Sequence, residues 1–307
     1  MDTPLHWLVF NLFVLLAVAL DLAVFHRRAH KIALREALAW SLVWLALAIV
    51  FGFGVFRFYG RQPALEFFTG YVIEKALSMD NLFVFLVIFR VFAVKDEFQH
   101  RVLAYGILGA LVLRGFMIVA GSALLHRFDW IMYVFGAFII YVGLHMLFQD
   151  RAAGHPEKNF LVRYLSKHLP LTRDYHQQKF FVRESGKLLA TPLFLVLLVV
   201  EITDVTFAVD SIPAVFGITR DPFIVYSSNV FAILGLRALY FLLAAVLEKL
   251  AYIKVGLAAV LIFVGAKMIV EPWLHISVAV SLAIVMGILA VSVIASLLLK
   301  HNAPPPS

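Results

Sequence analysis

Four acidic residues stand in pairs within apolar sequence. Glu74 and Asp80 occur in Glu74-Lys-Ala-Leu-Ser-Met-Asp80-Asn81, and Asp204 and Asp210 in Asp204-Val-Thr-Phe-Ala-Val-Asp210-Ser211. Both stretches read acid, five residues, aspartate, small polar residue. A carboxylate at membrane depth costs about 2.5–3.5 kcal/mol on insertion scales. Four at matched positions would cost on the order of 10–14 kcal/mol if each faced lipid alone. A bound cation, protons, or pairing with Arg114 and Arg237 could each offset that cost. The two arginines are read either as fixed partners that orient the acids or as mobile counter-ions that hold an empty site.

Helical geometry separates these groups. At about 100° per residue, Glu74 and Asn81 fall within about 20° of one another, with Ser78 nearby, and Asp80 lies about 120° away. Glu74 and Asp80 are also about 9 Å apart along the axis, too far to grip one small ion jointly. The second stretch repeats this arrangement with Asp204, Ser211 and Asp210, and Glu201 stands one turn before Asp204. Two antiparallel copies facing each other would assemble an oxygen-rich site from Glu74, Asp80, Asn81, Asp204, Asp210 and Ser211. Ser78, Thr206, Asn229 after Ser227-Ser228, and Asp21 are further candidates, Asp21 being close to the end of its segment and more readily interfacial. Pro213 removes one backbone hydrogen bond, frees the Val209 carbonyl beside Asp210, and predicts a break in that helix.

Oxygen donors suit Mg²⁺, Ca²⁺ or Mn²⁺. The chain has no cysteine, and its 11 histidines show no metal-ligand spacing, which disfavours Zn²⁺ and Cu⁺. Met79, beside Asp80, either biases a site toward the softer Mn²⁺ or packs. Lys75 and Lys267 are expected to snorkel, and His145 to pack within a bundle. No catalytic arrangement and no Gly-rich phosphate loop is present. The expectation is a protein that is not an enzyme and holds no tight cofactor.

The elements that must position these groups follow from composition. Of the 307 residues, 63% are hydrophobic and 15% charged, against about 45–50% and about 25% in average globular chains. The apolar runs are long and continuous, so the expected fold is all-α: a polytopic membrane bundle of about nine helices. We read them at 4–25, 37–58, 64–89, 102–125, 130–149, 191–213, 223–247, 252–270 and 275–299, all within one transmembrane domain spanning 1–307. The first run lacks a basic leading segment, and its positive charges follow it, so it is not read as a cleaved signal. With the N-terminus outside and the C-terminus in the cytoplasm, the cytoplasmic segments hold 18 of the 26 Lys and Arg. The net charge of +7 is then a topology signal and not a nucleic-acid surface. Residues 150–190 form one long basic cytoplasmic loop. Its Glu184-Ser185-Gly186 is a turn signal between two short β-like runs, consistent with a small hairpin or with a basic loop on anionic headgroups.

The likeness of the two acidic stretches continues downstream. Ile107-Leu-Gly with Arg114 answers Ile233-Leu-Gly with Arg237, and Val142-Gly143 with Met146 answers Val264-Gly265 with Met268. The repeat unit is three helices, about 64–149 and about 191–270. Because three is odd, the copies enter the membrane in opposite directions, an inverted repeat of the kind that secondary transporters use.

Four stretches resemble the TerC family of integral membrane proteins, in particular its Alx-like branch. They are Glu74 to Phe85, Asp174 to Val182, Glu201 to Ala214 and Ser228 to Phe241, and the likeness runs from about Asp21 to the last helix. The resemblance implies a bacterial inner-membrane protein that exports Mn²⁺, with Glu74, Asp80, Asp204 and Asp210 as essential acids. Two functions are carried forward. One is a secondary Mn²⁺ exporter working by proton-coupled alternating access, with a divalent ion, protons and the lipid bilayer as partners. The other is a membrane scaffold, assembly or metalation factor acting through the 150–190 loop. A generic Ca²⁺ or Na⁺ exchanger is a weaker third.

Overall fold

The computed structural model describes residues 4–25, 34–128, 130–148, 170–172, 174–184, 187–244 and 252–299. The helices are α1 (Pro4–Phe25), α2 (Leu34–Tyr59), α3 (Arg61–Val91), α4 (Asp96–Arg127) and α5 (Ile131–Phe148). After a two-stranded hairpin, β1 (Phe181–Glu184) and β2 (Lys187–Ala190), come α6 (Pro192–Phe216), α7 (Pro222–Leu234), α8 (Leu236–Ala244), α9 (Ile253–Val270) and α10 (Val278–Leu299). Helices therefore lie at each of the nine expected positions, the seventh being split into α7 and α8.

Among the described residues, five segments are long and apolar enough to cross a membrane: Arg35–Tyr59, Asp96–Leu125, Pro192–Phe216, Ile253–Val270 and Val278–Leu298. The α7–α8 pair, bent by 41° at Gly235, makes a sixth if it is one span. The apolar stretches of α1 and α5 are shorter, Pro4–Leu20 and Ile131–Leu147. In α3, 31 residues long, Glu66, Glu74, Lys75 and Asp80 interrupt the apolar character. The outward faces of α1, α2 and α4 carry exposed Leu12, Leu16, Phe53, Val112, Phe116 and Val119. An apolar surface of this extent needs lipid against it. The protein is a multi-pass, all-α membrane protein.

Local chemistry sets the ends. Gly60, with φ of 91°, takes the left-handed conformation that separates α2 from α3. Asp221 caps α7, its carboxylate accepting from the Phe223 and Ile224 amides at 2.9 and 3.2 Å, with Pro222 at the first helical position.

The break expected at Pro213 does not occur. Helix α6 continues to Phe216, and the Pro213 carbonyl accepts from the Gly217 amide at 3.0 Å. Pro213 forfeits the bond to the Val209 carbonyl, but only three residues of α6 follow it, so little helix lies beyond for a kink to redirect. The interruption lies instead at Gly235. There the Lys75 ammonium donates to the Ala232 carbonyl at 3.0 Å. Lys75 thus does not snorkel; it serves a carbonyl beside the break. Lys267 does not snorkel either, for it is buried and donates to the Gly217 carbonyl at 3.1 Å.

At the centre α3 packs on α6 and α7, while α4 packs on α6 and α7 from the other side. Helices α5 and α9 form the closest pair. Their contact is backbone to backbone: a Cβ on Gly265 would lie 2.6 Å from the Gly136 carbonyl oxygen, and one on Gly143 would lie 2.9 Å from that of Ala258. The rings of Phe10, Phe51, Phe67 and Phe231 tie α1, α2, α3 and α7 together.

Most of the 150–190 loop lies outside the described residues. Its last part forms the hairpin, in antiparallel register from Phe181 opposite Ala190 to Glu184 opposite Lys187. Residues leading into the hairpin tie it to the turn between α3 and α4. The Tyr175 hydroxyl donates to the Phe92 carbonyl at 2.6 Å, the Gln178 amide donates to the Glu97 carbonyl at 3.2 Å, and the Arg101 guanidinium lies 5.2 Å from the Phe180 ring.

Candidate ion site

Arg114 of α4 reaches between the two acidic helices. Its Nε and Nη2 donate to Oδ2 and Oδ1 of Asp204, each at 3.0 Å, a two-pronged ion pair. Its Nη1 pairs with Oε1 of Glu74 and lies 3.3 Å from the Ser211 hydroxyl, which is itself 3.4 Å from the same Glu74 oxygen. Glu74, Arg114 and Asp204 are 0%, 1% and 4% exposed, so this cluster is fully desolvated. The first acid of each sequence pair and Ser211 therefore meet on one guanidinium. Oε2 of Glu74 has no hydrogen-bond partner.

The other candidates fall around this cluster. Ser78 is buried and donates to the carbonyl of Glu74, its own helix neighbour, at 2.7 Å, and Thr206 does the same to Ile202 at 3.0 Å. Asn81 and Asp210, with Ser211, line a cavity of about 220 Å³ on the α5 side, whose wall also includes Tyr141, His145 and Met146. Asn81 is buried and its Nδ2 is unpartnered. His145, expected to pack inside the bundle, is exposed at this cavity and stacks on Tyr141 with ring centroids 5.8 Å apart. Glu201 lies against α4, where a Cβ on Gly109 would meet its Oε1 at 2.1 Å; its Oε2 has no partner. Asn229 is buried on α7 with neither end of its amide bonded. Arg237 and Asp204 both line a void of about 20 Å³. The side chains of Asp21, Met79 and Asp80 lie outside the described part of the structure. Among the described residues, no three His, Asp or Glu side chains converge closely enough to hold a metal ion between them.

A wider cavity of about 470 Å³ opens where α3 begins and α6 and α9 end. There the Thr219 hydroxyl donates to Oε2 of Glu66 at 2.6 Å, His275 Nδ1 and Glu271 Oε1 are 2.8 Å apart, and Lys267 Nζ is 3.8 Å from Oε2 of Glu271. Glu66, Glu271 and His275 were not among the sequence candidates. They stand at helix ends, where acids and histidines are ordinary, and no spacing marks them.

The sequence profile of the integral membrane protein TerC family matches residues 59–303. This chain belongs to the TerC family. An uncharacterised membrane protein of Myxococcus xanthus is 49% identical over 302 residues, covering 98% of this chain and 95% of its own. The Alx protein of Shigella flexneri, whose name proposes a membrane-bound redox modulator, is 50% identical over 303 residues, covering 95% of this chain and 94% of its own. A Rickettsia bellii membrane protein, also uncharacterised, is 37% identical over 295 residues, covering 96% and 98%. No solved structure matches the chain. The TerC match begins in the last turn of α2 and takes in both acidic helices, Arg114 and the break at Gly235.

Proposed function

We propose that this TerC-family protein is a secondary transporter that exports Mn²⁺ across the bacterial inner membrane by proton-coupled alternating access. The observation that carries the reading is Arg114 bridging Glu74 of α3 and Asp204 of α6 in the interior of the bundle. An ionisable cluster buried in a membrane bundle marks an ion or proton pathway by default, because its cost must be offset. In this arrangement Arg114 is a tethered cation occupying the place between two carboxylates. Protonation of an acid, or a mobile cation nearby, changes the balance that holds it there.

The packing supports an inverted repeat. Superposing Val142-Gly143 on Val264-Gly265 carries the Gly136–Gly265 contact onto the pair Ala258–Gly143, and that contact is also made. The same exchange carries the packing of α3 on α7 onto that of α6 on α4. A two-fold relation between copies, each entering from its own side, is the arrangement that alternating access needs. Nine crossings, an external N-terminus and a cytoplasmic C-terminus belong to this reading. The choice of Mn²⁺ and of export rests on the family resemblance, and the oxygen donors fit it. With no cysteine in the chain, a redox effect of the kind named for the Shigella flexneri relative would act here through metal supply and not through thiols.

The test is metal flux in proteoliposomes, Mn²⁺ against Ca²⁺ and Mg²⁺, with and without an imposed pH gradient. Selective Mn²⁺ movement, faster with the gradient and lost in Asp210→Asn, is expected. No cation flux from folded protein would sink it in favour of the assembly-factor reading. That second reading draws on the hairpin, where Phe181 and Leu188 are exposed large apolar residues beside the basic loop. Replacing both by serine would then abolish partner capture, whereas a transporter keeps its flux.

A further inference from the structure

The Glu74–Arg114–Asp204 cluster is already filled by its own guanidinium, so a transported cation needs a different resting place. We infer that the 220 Å³ cavity beside it is a docking site for a partly hydrated divalent transition-metal cation, with His145 and Met146 of α5 as ligands alongside Asp210, Asn81 and Ser211. This rests on the transport reading above and adds to it the donors that select the metal.

His145 is the one charge-capable side chain among Asp, Glu, Lys, Arg and His in the otherwise apolar α5, Ile131–Phe148. A histidine on such a helix needs a polar surrounding, and the cavity is what it borders. Across the cavity Asn81 is only 4% exposed, yet its Nδ2 has no partner. That nitrogen has no surface open to the cavity, and Asn81 stands there as a polar residue of the wall. Asp210 supplies the negative charge, and no lysine or arginine is among the lining residues. The cavity therefore favours a cation.

Size decides the state of that cation. A water takes about 30 Å³ in the liquid, so the cavity has room for roughly seven, which is a metal ion with most of its first shell. It arrives hydrated and exchanges some waters for protein donors. An imidazole nitrogen and a thioether sulfur beside carboxylate and amide oxygens favour a first-row transition metal over Mg²⁺ and Ca²⁺, which prefer oxygen alone. Ser211 stands on both walls: it lines the cavity and lies 3.3 Å from Arg114 and 3.4 Å from Glu74. Charge in the cavity is thereby felt by the arginine cluster one hydroxyl away.

The test is electron spin echo spectroscopy of Mn²⁺ added to the full-length protein purified in detergent. Bound Mn²⁺ showing nitrogen coupling is expected. The coupling should vanish in His145→Ala and His145→Gln and persist in His6→Ala, since His6 lies on α1 against Tyr59. In competition, His145→Ala/Met146→Leu should lose about tenfold or more of the Mn²⁺ over Ca²⁺ preference. His145 is exposed, so these substitutions leave the packing in place. Mn²⁺ bound without nitrogen coupling, or coupling that survives His145→Ala, overturns the site while Mn²⁺ flux would leave the transporter standing. Nitrogen-coupled Mn²⁺ with no flux in proteoliposomes supports the site and removes the transport reading. Absence of both Mn²⁺ binding and flux removes the two together.

Discussion

At the scale of single residues, the arginine cluster is a stability problem as much as a functional one. Removing one partner of a buried pair leaves an uncompensated charge and costs about 3–5 kcal/mol, whereas replacing the whole set by neutral groups of similar volume is often neutral or stabilising. Arg114→Met alone should therefore lower the thermal unfolding temperature in detergent sharply. Arg114→Met with Glu74→Gln and Asp204→Asn should recover most of it, and Mn²⁺ flux should be absent in both. A triple variant no more stable than the single one would show that the cluster is not held by charge. Gly109 offers a second test. Its Cβ would stand 2.1 Å from the Glu201 carboxylate, the far end of a flexible side chain that can swing aside, so Gly109→Ala should cost no more than about 1 kcal/mol. Adding Glu201→Ala should return that loss, as measured by the same unfolding transition; a purely additive result would disprove the contact. The acids were legible in the sequence because carboxylates in apolar runs need a reason. Arg114 and Arg237 were legible as possible partners for the same reason, but which of them holds Glu74 and Asp204 was not, because Arg114 is 40 residues from Glu74 and 90 from Asp204, and nothing local distinguishes it from Arg237. His145 was misread for the same cause: a lone histidine on an apolar helix says nothing of the cavity it faces.

At the scale of elements, hydropathy marked where helices lie but not where they bend. Pro213 carried the stronger local signal, yet its position in the last turn of α6 let the helix absorb it. Gly235 carried the weaker one, and the break there is completed by Lys75 from another helix, a contact 157 residues long in sequence. The pairing of β1 with β2 was readable because the signal between the two runs is local. Close approach of α5 and α9 depends on glycines whose role also emerges only in three dimensions. Gly265→Ala would place its Cβ 2.6 Å from a backbone oxygen of Gly136, which has no rotamer with which to move away. It should destabilise the protein by about 1–3 kcal/mol and slow flux, if the two repeats move as bodies along this seam. Gly54→Ala and Gly287→Ala meet nothing within 4 Å and should be neutral or slightly stabilising, since alanine is the better helix former. Equal effects at all three positions, read as unfolding midpoints, would remove the α5–α9 seam as a special contact.

At the scale of the whole molecule, the proposed export can be tested only once the orientation of the chain across the membrane is known. The orientation proposed from the charge asymmetry of the loops would put the end with Arg61 and His275 outside and the end with Lys95 and Lys187 in the cytoplasm. All four positions are exposed, and a chain without cysteine gives no labelling background. Arg61→Cys and His275→Cys should react with a membrane-impermeant maleimide on intact cells. Lys95→Cys and Lys187→Cys should react only after permeabilisation. Under that orientation the 470 Å³ vestibule with Glu66, Glu271 and His275 faces outward, with Lys267 on its wall. Lys267 there donates to the Gly217 carbonyl at a helix end and lies 3.8 Å from Glu271. The reversed labelling pattern would make the same vestibule a cytoplasmic entrance. Glu66 and Glu271 would then face the cytoplasm, and the proposed export would have to be reconciled with a chain inserted the other way round.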